Sequence, residues 1–195
     1  MAKKIEIRTK ILNVAQQVFT KYGYNKTTME DIAREMGKGK STIYYYFTSK
    51  EDIFKAVIEM EIEVMKEKIV SGIATRSDAR EKLKTYVTER MHGLKNLKNL
   101  YNVIRTEFTS KLDFVEQTRQ QTDQEEINIV SAILDQGVTD GIFYLEDTFL
   151  TAIAIVTALK GMEIPLLISE SENDNLLEKR LDRLLDVLFY GIIKR

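Results

Sequence analysis

Residues 27–47 read TTMEDIAREMGKGKSTIYYYF, and this stretch contains two short helical patterns separated by a pair of glycines. Thr28 with Asp31 three residues later forms a variant of the capping box, which predicts the start of a helix. The apolar face of that helix consists of Ile32, Ala33 and Met36. Gly37 is typical of a helix end, and Gly39 is a tolerated N-cap for a second short helix. Two short helices joined by a glycine-containing turn predict a helix-turn-helix.

The second short helix divides into two faces. Ile43 and Phe47 are four residues apart, so they share one face and are predicted to pack in the core. The other face carries Lys40, Ser41, Thr42, Tyr44, Tyr45 and Tyr46. Lysine neutralises phosphate, hydroxyl groups donate to phosphate oxygens, and the apolar parts of tyrosine and threonine contact thymine methyls. The pattern predicts a recognition helix for the DNA major groove, whereas the alternative for the tyrosines is aromatic packing.

A connecting helix is predicted directly after this stretch. Ser49, with an aspartate three residues later, forms another capping-box variant at its start. The helix is expected to end near Gly72. Lys50, like Thr28, stands at a helix start, where backbone N–H groups and the helix dipole favour an anion.

The charge of the chain is unevenly distributed. The first 50 residues contain ten Lys or Arg and four acids, whereas the rest contains 19 bases and 26 acids. Such an asymmetry predicts that the N-terminal part meets a polyanion and the remainder does not. The alternative is a chance excess of bases on a solvated face.

The remainder of the chain is predicted to be helical, because 195 residues include one proline and nine glycines. Hydrophobic periodicity predicts an all-α fold of about nine helices. Ser77 is expected to cap the fifth helix, and Pro165 is expected to kink or end the eighth. The helices outside residues 27–72 are predicted over residues 5–22, 83–94, 97–108, 113–138, 147–168 and 177–192.

The last two helices are candidates for a dimer interface. The segment at residues 147–168 is apolar nearly all round, and the final helix carries a wide apolar stripe. So much apolar surface predicts a homodimer, and the alternative is a large monomeric core. The candidate interface residues are Ile153, Val156, Leu177, Leu181, Leu184 and Leu188.

Several classes of site are excluded or lack a sequence signal. The chain has no cysteine and a single histidine, so disulfides, zinc–thiolate sites and cysteine nucleophiles are excluded. No glycine-rich phosphate loop or metal-ligand spacing is present, so neither a cofactor nor a metal is expected. The chain also lacks the apolar core of a signal peptide and any apolar stretch long enough to cross a bilayer. A cytoplasmic protein without membrane contact is expected.

A set of residues at fixed spacings lies within about residues 5–55 of the chain. Its members are Gly23-Tyr24, Thr27-Thr28, Ile32-Ala33, Gly37, Thr42-Ile43-Tyr44, Phe47 and Lys50-Glu51. This pattern resembles the DNA-binding domain of the TetR-type (TetR/AcrR) helix-turn-helix transcriptional regulators. Two positions depart from the family pattern: Lys38 replaces the usual aliphatic residue, and Gly39 replaces the frequent Ser or Thr cap. The base preference is therefore not carried over.

The resemblance implies a DNA-binding domain over residues 1–50 and a helical ligand-binding and dimerisation domain over residues 51–195. It implies a homodimer that binds a pseudo-palindromic operator on double-stranded DNA and acts as a repressor. By position, the phosphate anchors are Thr28, Tyr44 and Lys50. The base readers are Lys40, Ser41 and Tyr45, and the further DNA-contact candidates are Thr42 and Tyr46.

The resemblance also implies a small-molecule inducer that binds in the C-terminal domain and releases the DNA. Candidate ligand residues on segments that can line such a pocket are Tyr86, His92, Tyr101, Arg105 and Phe108. For His92 the alternative is a surface or satisfied residue, and for the aromatic residues it is core packing.

Two other interpretations remain open. One is a helical dimer that acts through protein partners without specific DNA binding, against which the basic N-terminal part argues. The other is an enzyme, for which scattered Asp and Glu residues provide no positive sign.

Overall fold

The computed structural model of the chain describes residues 2–94, 97, 99, 113–168 and 174–191. Every regular element in this part is helical, which confirms the predicted all-α fold. The eight helices are α1 (Ala2–Tyr22), α2 (Met29–Glu35), α3 (Lys40–Tyr46), α4 (Lys50–Ala74), α5 (Ala79–Gly93), α6 (Asp113–Thr139), α7 (Thr148–Ile168) and α8 (Asp174–Tyr190). The predicted helix at residues 97–108 lies largely outside the described residues.

The chain divides into two compact units. The first comprises residues 1–64 with 96–119, and the second comprises residues 65–95 with 120–195. The predicted division at residue 50 concerns which segment contacts DNA, and it stays a prediction.

The core of the first unit forms where α2 packs on α1 and on α3. Ile32 of α2 and Ile43 of α3 are fully buried, as the sequence pattern predicted. Phe54 lies edge-on to Phe19, with ring centroids 4.9 Å apart, and 4.6 Å from the ring of Tyr24. This aromatic cluster joins α1, the turn after it and α4.

A buried polar cluster also stabilises the first unit. The Asn99 amide donates to Glu61 Oε1 at 2.6 Å and to the Gln16 carbonyl at 3.3 Å. The Thr20 hydroxyl donates to Asn99 Oδ1 at 3.3 Å. Since an unpaired buried polar group is costly, these bonds hold α1, α4 and residue 99 in one arrangement.

Local sequence signals set most helix ends. Thr28 and Asp31 form the predicted capping box at the start of α2. Gly37 ends the turn after α2 with φ of +64°, in the left-handed region that favours glycine. At the start of α4, Asp52 N–H donates to Ser49 Oγ at 3.0 Å, as predicted.

Two predicted helix boundaries are displaced slightly in the structure. Gly72 does not end α4, which continues to Ala74; a Cβ at Gly72 would lie 2.9 Å from the Thr85 methyl carbon, so glycine permits a close approach there. The N-cap of α5 is Asp78 rather than Ser77, because the Asp78 carboxylate accepts from the first backbone N–H groups of the helix. Pro165 was predicted to kink or end α7; it does not end the helix, which runs on to Ile168, and the kink stays a prediction.

The second unit packs α5 against α7 and α8. Its fully buried side chains include Leu83, Tyr86, Val87, Leu159 and Leu181. Among the helices that the structure describes, none is both long and apolar enough to cross a membrane.

Candidate nucleic-acid interface

The recognition-helix candidate α3 presents the two faces that its spacing predicted. Ile43 is fully buried and Phe47 is 5% exposed, which confirms that they belong to the core. On the opposite side, Tyr44 is 45% exposed and Tyr45 is 68% exposed. These two rings are therefore available to a binding partner, whereas Ile43 and Phe47 are not.

The remaining α3 candidates vary in exposure. Ser41 is exposed, whereas Thr42 and Tyr46 are half-buried. Tyr46 packs edge-on against Tyr45, with ring centroids 5.0 Å apart. The aromatic packing considered for the tyrosines therefore occurs between two of them, while Tyr45 keeps most of its surface exposed.

The first helix adds two cations beside α3 that the sequence reasoning did not include. Lys4 Nζ lies 5.2 Å from the centroid of the Tyr45 ring, and the Arg8 guanidinium lies 5.2 Å from that of Phe47. Both are cation–π contacts. The signal in the sequence was a lysine and an arginine four residues apart, which places them on one face of a helix.

Lys40 is paired within the domain. Its ammonium forms an ion pair with Glu30 of α2 and lies 5.5 Å from the centroid of the Tyr44 ring. The pairing raises the pKa of Lys40, and the hydrogen bond from Lys40 lowers the pKa of Glu30. The sequence reasoning named Lys40 but missed Glu30, which lies ten residues earlier on a different helix.

Thr28 is occupied by its capping interaction. Its hydroxyl donates to Asp31 Oδ2 at 2.6 Å and accepts from the Asp31 backbone N–H. Hydrogen bonds from Thr28 lower the pKa of Asp31, whose other carboxylate oxygen accepts from Arg34. Thr28 is exposed, but its hydroxyl proton is directed at Asp31 rather than at solvent.

Lys50 is held against the turn after α1. Its ammonium donates to the Tyr24 carbonyl at 2.9 Å and lies 4.3 Å from the centroid of the Tyr24 ring. Lys50 is half-buried at the start of α4. This arrangement gives it a structural contact in addition to the predicted phosphate role, which stays a prediction.

A buried ionic cluster lies in the second unit. The Arg90 side chain on α5 donates from Nε to Glu126 Oε2 of α6 at 2.7 Å, and the Tyr86 hydroxyl donates to the same oxygen at 3.1 Å. Burial raises the pKa of Tyr86. Sequence reasoning selected Tyr86 as a ligand candidate but missed Arg90 and Glu126, because charged residues on polar helices are most simply solvated.

The other ligand candidates are less defined. His92 is half-buried on α5. Tyr101, Arg105 and Phe108 lie outside the described residues. A groove of about 800 Å³ between α5 and α8 is lined by four bases and three acids together with Phe189 and Tyr190, so its charges select neither anions nor cations.

The dimer candidates fall into two groups. Val156 and Leu181 are each 2% exposed within the chain, whereas Ile153, Leu184 and Leu188 are half-exposed. The side chain of Leu177 lies outside the described part. Additional apolar residues exposed on α7 and α8 are Phe149, Leu150, Val187 and Tyr190.

In the described ranges, no group of three or more His, Asp or Glu side chains has an arrangement suited to a metal ion.

Comparisons with known proteins agree with the helix-turn-helix geometry. A family model described as "Bacterial regulatory proteins, tetR family" matches residues 11–57. A transcriptional regulator of known structure from Cytophaga hutchinsonii is 30% identical, with a TM-score of 0.79 over 98% of this chain and 99% of that one.

Two further similarities come from one organism. The fatty acid metabolism regulator protein of Bacillus subtilis is 27% identical over 131 residues, which span 67% of this chain and 68% of that protein. The transcriptional regulator FadR from Bacillus subtilis, solved in complex with stearoyl-CoA, has the same fold. It aligns with a TM-score of 0.76 and 24% identity over 95% of this chain and 99% of that one.

Proposed function

Since the chain belongs to the TetR family of bacterial regulatory proteins and is a DNA-binding transcriptional regulator, we propose that it is a repressor. It binds a pseudo-palindromic operator in the cytoplasm as a homodimer, and a small-molecule inducer releases it. The observation that carries the proposal is the exposed face of α3, where Lys40, Tyr44 and Tyr45 project from a helix whose opposite side is core.

The proposed DNA contacts follow from the exposure of each side chain. Tyr45 enters the major groove, because it is exposed on the face of α3 opposite Ile43, and Lys40 enters it from the exposed first position of the helix. Lys4, beside Tyr45, adds positive charge at the same edge. Tyr44 and Lys50 contact phosphates and set the orientation of the helix on the duplex. The predicted phosphate contact of Thr28 requires its hydroxyl to turn away from Asp31.

The proposed dimer uses the apolar side chains that α7 and α8 leave exposed. Leu150 is 62% exposed on α7, and Val187 is 49% exposed on α8. Covering such residues with a second copy removes apolar surface from water. Two recognition helices related by a two-fold axis then match two half-sites about one DNA turn apart.

The proposed effector is a fatty acyl thioester. The similarity to the fatty acid metabolism regulator of Bacillus subtilis, together with the stearoyl-CoA in the FadR structure from that organism, supports this class of ligand. The described part of α7 contributes Ala152, Ile155, Val156 and Leu159 to the buried apolar interior of the second unit, which is the kind of surface that an acyl chain contacts. Binding of the effector shifts the population toward an arrangement that no longer matches the operator.

The DNA-binding part is tested by selecting duplexes from a random pool with the full chain and measuring affinity over a range of salt. We expect one enriched palindromic sequence and an affinity that falls steeply with salt. Tyr45→Ala is expected to change the enriched sequence, whereas Tyr144→Ala serves as the matched control because Tyr144 is 96% exposed in the second unit. No enrichment at low salt would reject specific DNA binding and favour action through protein partners.

The dimer is tested by sedimentation of Val187→Glu. A charge in an apolar interface is costly, so this variant is expected to sediment as a monomer. Val70→Glu is the control, because Val70 is 47% exposed on α4 and lies outside the proposed interface. A dimeric Val187→Glu variant would place the interface elsewhere.

The effector is tested by adding stearoyl-CoA to the complex with the selected duplex. We expect release of the DNA by stearoyl-CoA and no release by coenzyme A alone, because the acyl chain provides the apolar contact. Equal release by both compounds, or by neither, would contradict an acyl effector while leaving operator binding intact.

A further inference from the structure

Glu30 and Lys40 join the two helices of the helix-turn-helix at the surface. Glu30 lies in the first turn of α2, Lys40 is the first residue of α3, and their side chains form an ion pair. The two side chains are 53% and 52% exposed, respectively. The pair is therefore open to exchange with a ligand that approaches α3 from solvent.

Lys40 is further restrained by the ring of Tyr44, which its ammonium approaches to 5.5 Å from the centroid. A lysine ammonium is normally a mobile point charge that follows any nearby phosphate. Contact with a carboxylate and a ring favours one position of the Lys40 ammonium on α3. The adjacent negative charge of Glu30 also offsets its attraction to the DNA backbone.

The base edges of DNA offer Lys40 a different replacement for its contact with Glu30 than phosphates do. Guanine presents two acceptors, O6 and N7, in the major groove, and lysine is one of the side chains that bind them. An ammonium placed opposite guanine replaces the Glu30 contact with hydrogen bonds of fixed geometry. A phosphate on a random sequence offers the Lys40 ammonium only a contact with a negative charge. Glu30 already provides such a contact in the free protein.

We propose that Glu30 is a specificity-determining residue, which holds Lys40 away from phosphates and releases it to acceptor atoms on the base edge of the operator. The inference rests on the proposed operator binding. It assigns to an acidic residue on α2 a role in suppressing non-specific binding. Its physical basis is that exposed ion pairs are weak, so the correct base displaces Glu30 at small cost.

The test compares the full wild-type chain with Glu30→Gln on two duplexes, the sequence selected by the wild type and a scrambled version. Glu30→Gln is expected to bind the scrambled duplex about three- to fivefold more tightly, with a salt slope steeper by about 1.8, the value for one additional phosphate contact in each protomer of the dimer. The selected duplex is expected to change by less than about twofold, so the specificity ratio falls about threefold.

A general loss of negative charge is separated from the specific pairing by two further variants. Glu35→Gln removes the same charge from an exposed position at the end of α2, and it is expected to leave the specificity ratio unchanged. In a Lys40→Met background, Glu30→Gln is expected to have no further effect, because its action passes through Lys40.

The outcomes distinguish this inference from the function on which it rests. If Glu30→Gln tightens non-specific binding equally with and without Lys40, simple repulsion of phosphate accounts for the effect and the inference is wrong. An unchanged specificity ratio, with a wild-type chain that still selects a site, also overturns it while leaving the proposed function standing. Failure of the wild type to select any site overturns both.

Discussion

Two ion pairs in this molecule have similar chemistry and opposite surroundings. Arg90 and Glu126, in the second unit, are 3% and 7% exposed, whereas Lys40 and Glu30, on the helix-turn-helix, are 52% and 53% exposed. The first pair has lost nearly all its water and the second keeps half of it. Burial therefore separates a pair that stabilises a fold from one that is open to exchange with DNA.

The physical reason is the cost of desolvation. A buried charge that loses its partner has no water to replace it, so breaking such a pair is strongly destabilising even where forming it contributes little. An exposed charge regains water when its partner leaves, and the median exposed pair is worth very little. A surface that exchanges partners during recognition needs the second kind.

Lys160 and Asp123 provide an intermediate case. They form an ion pair between α7 and α6, with side chains 25% and 28% exposed. The three pairs differ in burial within one chain. The effect of replacing the cation by methionine can therefore be compared at three levels of solvation.

The largest effect is expected for Arg90→Met. Arg90 and Tyr86 both donate to the buried Glu126 carboxylate, and this variant removes the Arg90 donor while the Tyr86 hydroxyl stays. We expect the free energy of unfolding to fall by about 3 to 5 kcal/mol, measured by urea denaturation at one protein concentration. Arg80→Met, at an exposed position on the same helix, is the control. Combining Arg90→Met with Glu126→Leu should recover part of the loss, and a loss as small as the control's would contradict the comparison.

An intermediate effect is expected for Lys160→Met. The Asp123 carboxylate regains part of its hydration, so we expect a loss of about 1 to 2 kcal/mol, between the values typical of exposed and buried pairs. The same denaturation experiment measures it, with Lys68→Met on the exposed side of α4 as the control. A loss equal to that of Arg90→Met would show that partial burial already imposes the full cost.

The smallest effect on the free energy of unfolding is expected for the exposed pair of Glu30 and Lys40. For this pair the pKa of Glu30 is the more sensitive measurement. The Lys40 hydrogen bond holds the pKa of Glu30 below its ordinary 4.5. Because the folded pKa is the lower one, the contribution of the pair is present above pH 4.5 and is lost as the pH falls through the folded pKa. NMR titration of the side-chain carboxyl carbon measures this pKa.

Lys40→Met is expected to raise the pKa of Glu30 back toward 4.5, whereas Lys38→Met, which removes an exposed cation nearby, should leave it low. An unchanged pKa in Lys40→Met would mean that the pair does not persist in solution. The comparison between the buried and the exposed ion pair would then lose its exposed member.

Much of the helix-turn-helix was predictable from the sequence because its signals are local. The Thr28–Asp31 box spans four residues, and the Ile43–Phe47 spacing equals one helical turn, so neither depends on distant parts of the chain. The same local reasoning placed the end of α4 near Gly72, close to its actual end at Ala74. A glycine is typical of a helix end, but here it accommodates Thr85 of a neighbouring helix.

The polar clusters could not be predicted, because their members are far apart in sequence. Arg90 and Glu126 are separated by 36 residues, and Asn99 and Gln16 by 83. Helical periodicity alone predicts that charged and amide side chains are exposed to solvent. Packing brings them together, and burial then changes their energetic role.

The sequence by itself determined the helical class, the helix-turn-helix and the division of α3 into a core face and an exposed face, since each follows from spacing and capping within a few residues. Tertiary structure decided which partner each charged residue has: Glu30 for Lys40, the Tyr24 carbonyl for Lys50 and Glu126 for Arg90. Hydration and partners depend on helices that meet in space, and no local pattern encodes which helices meet.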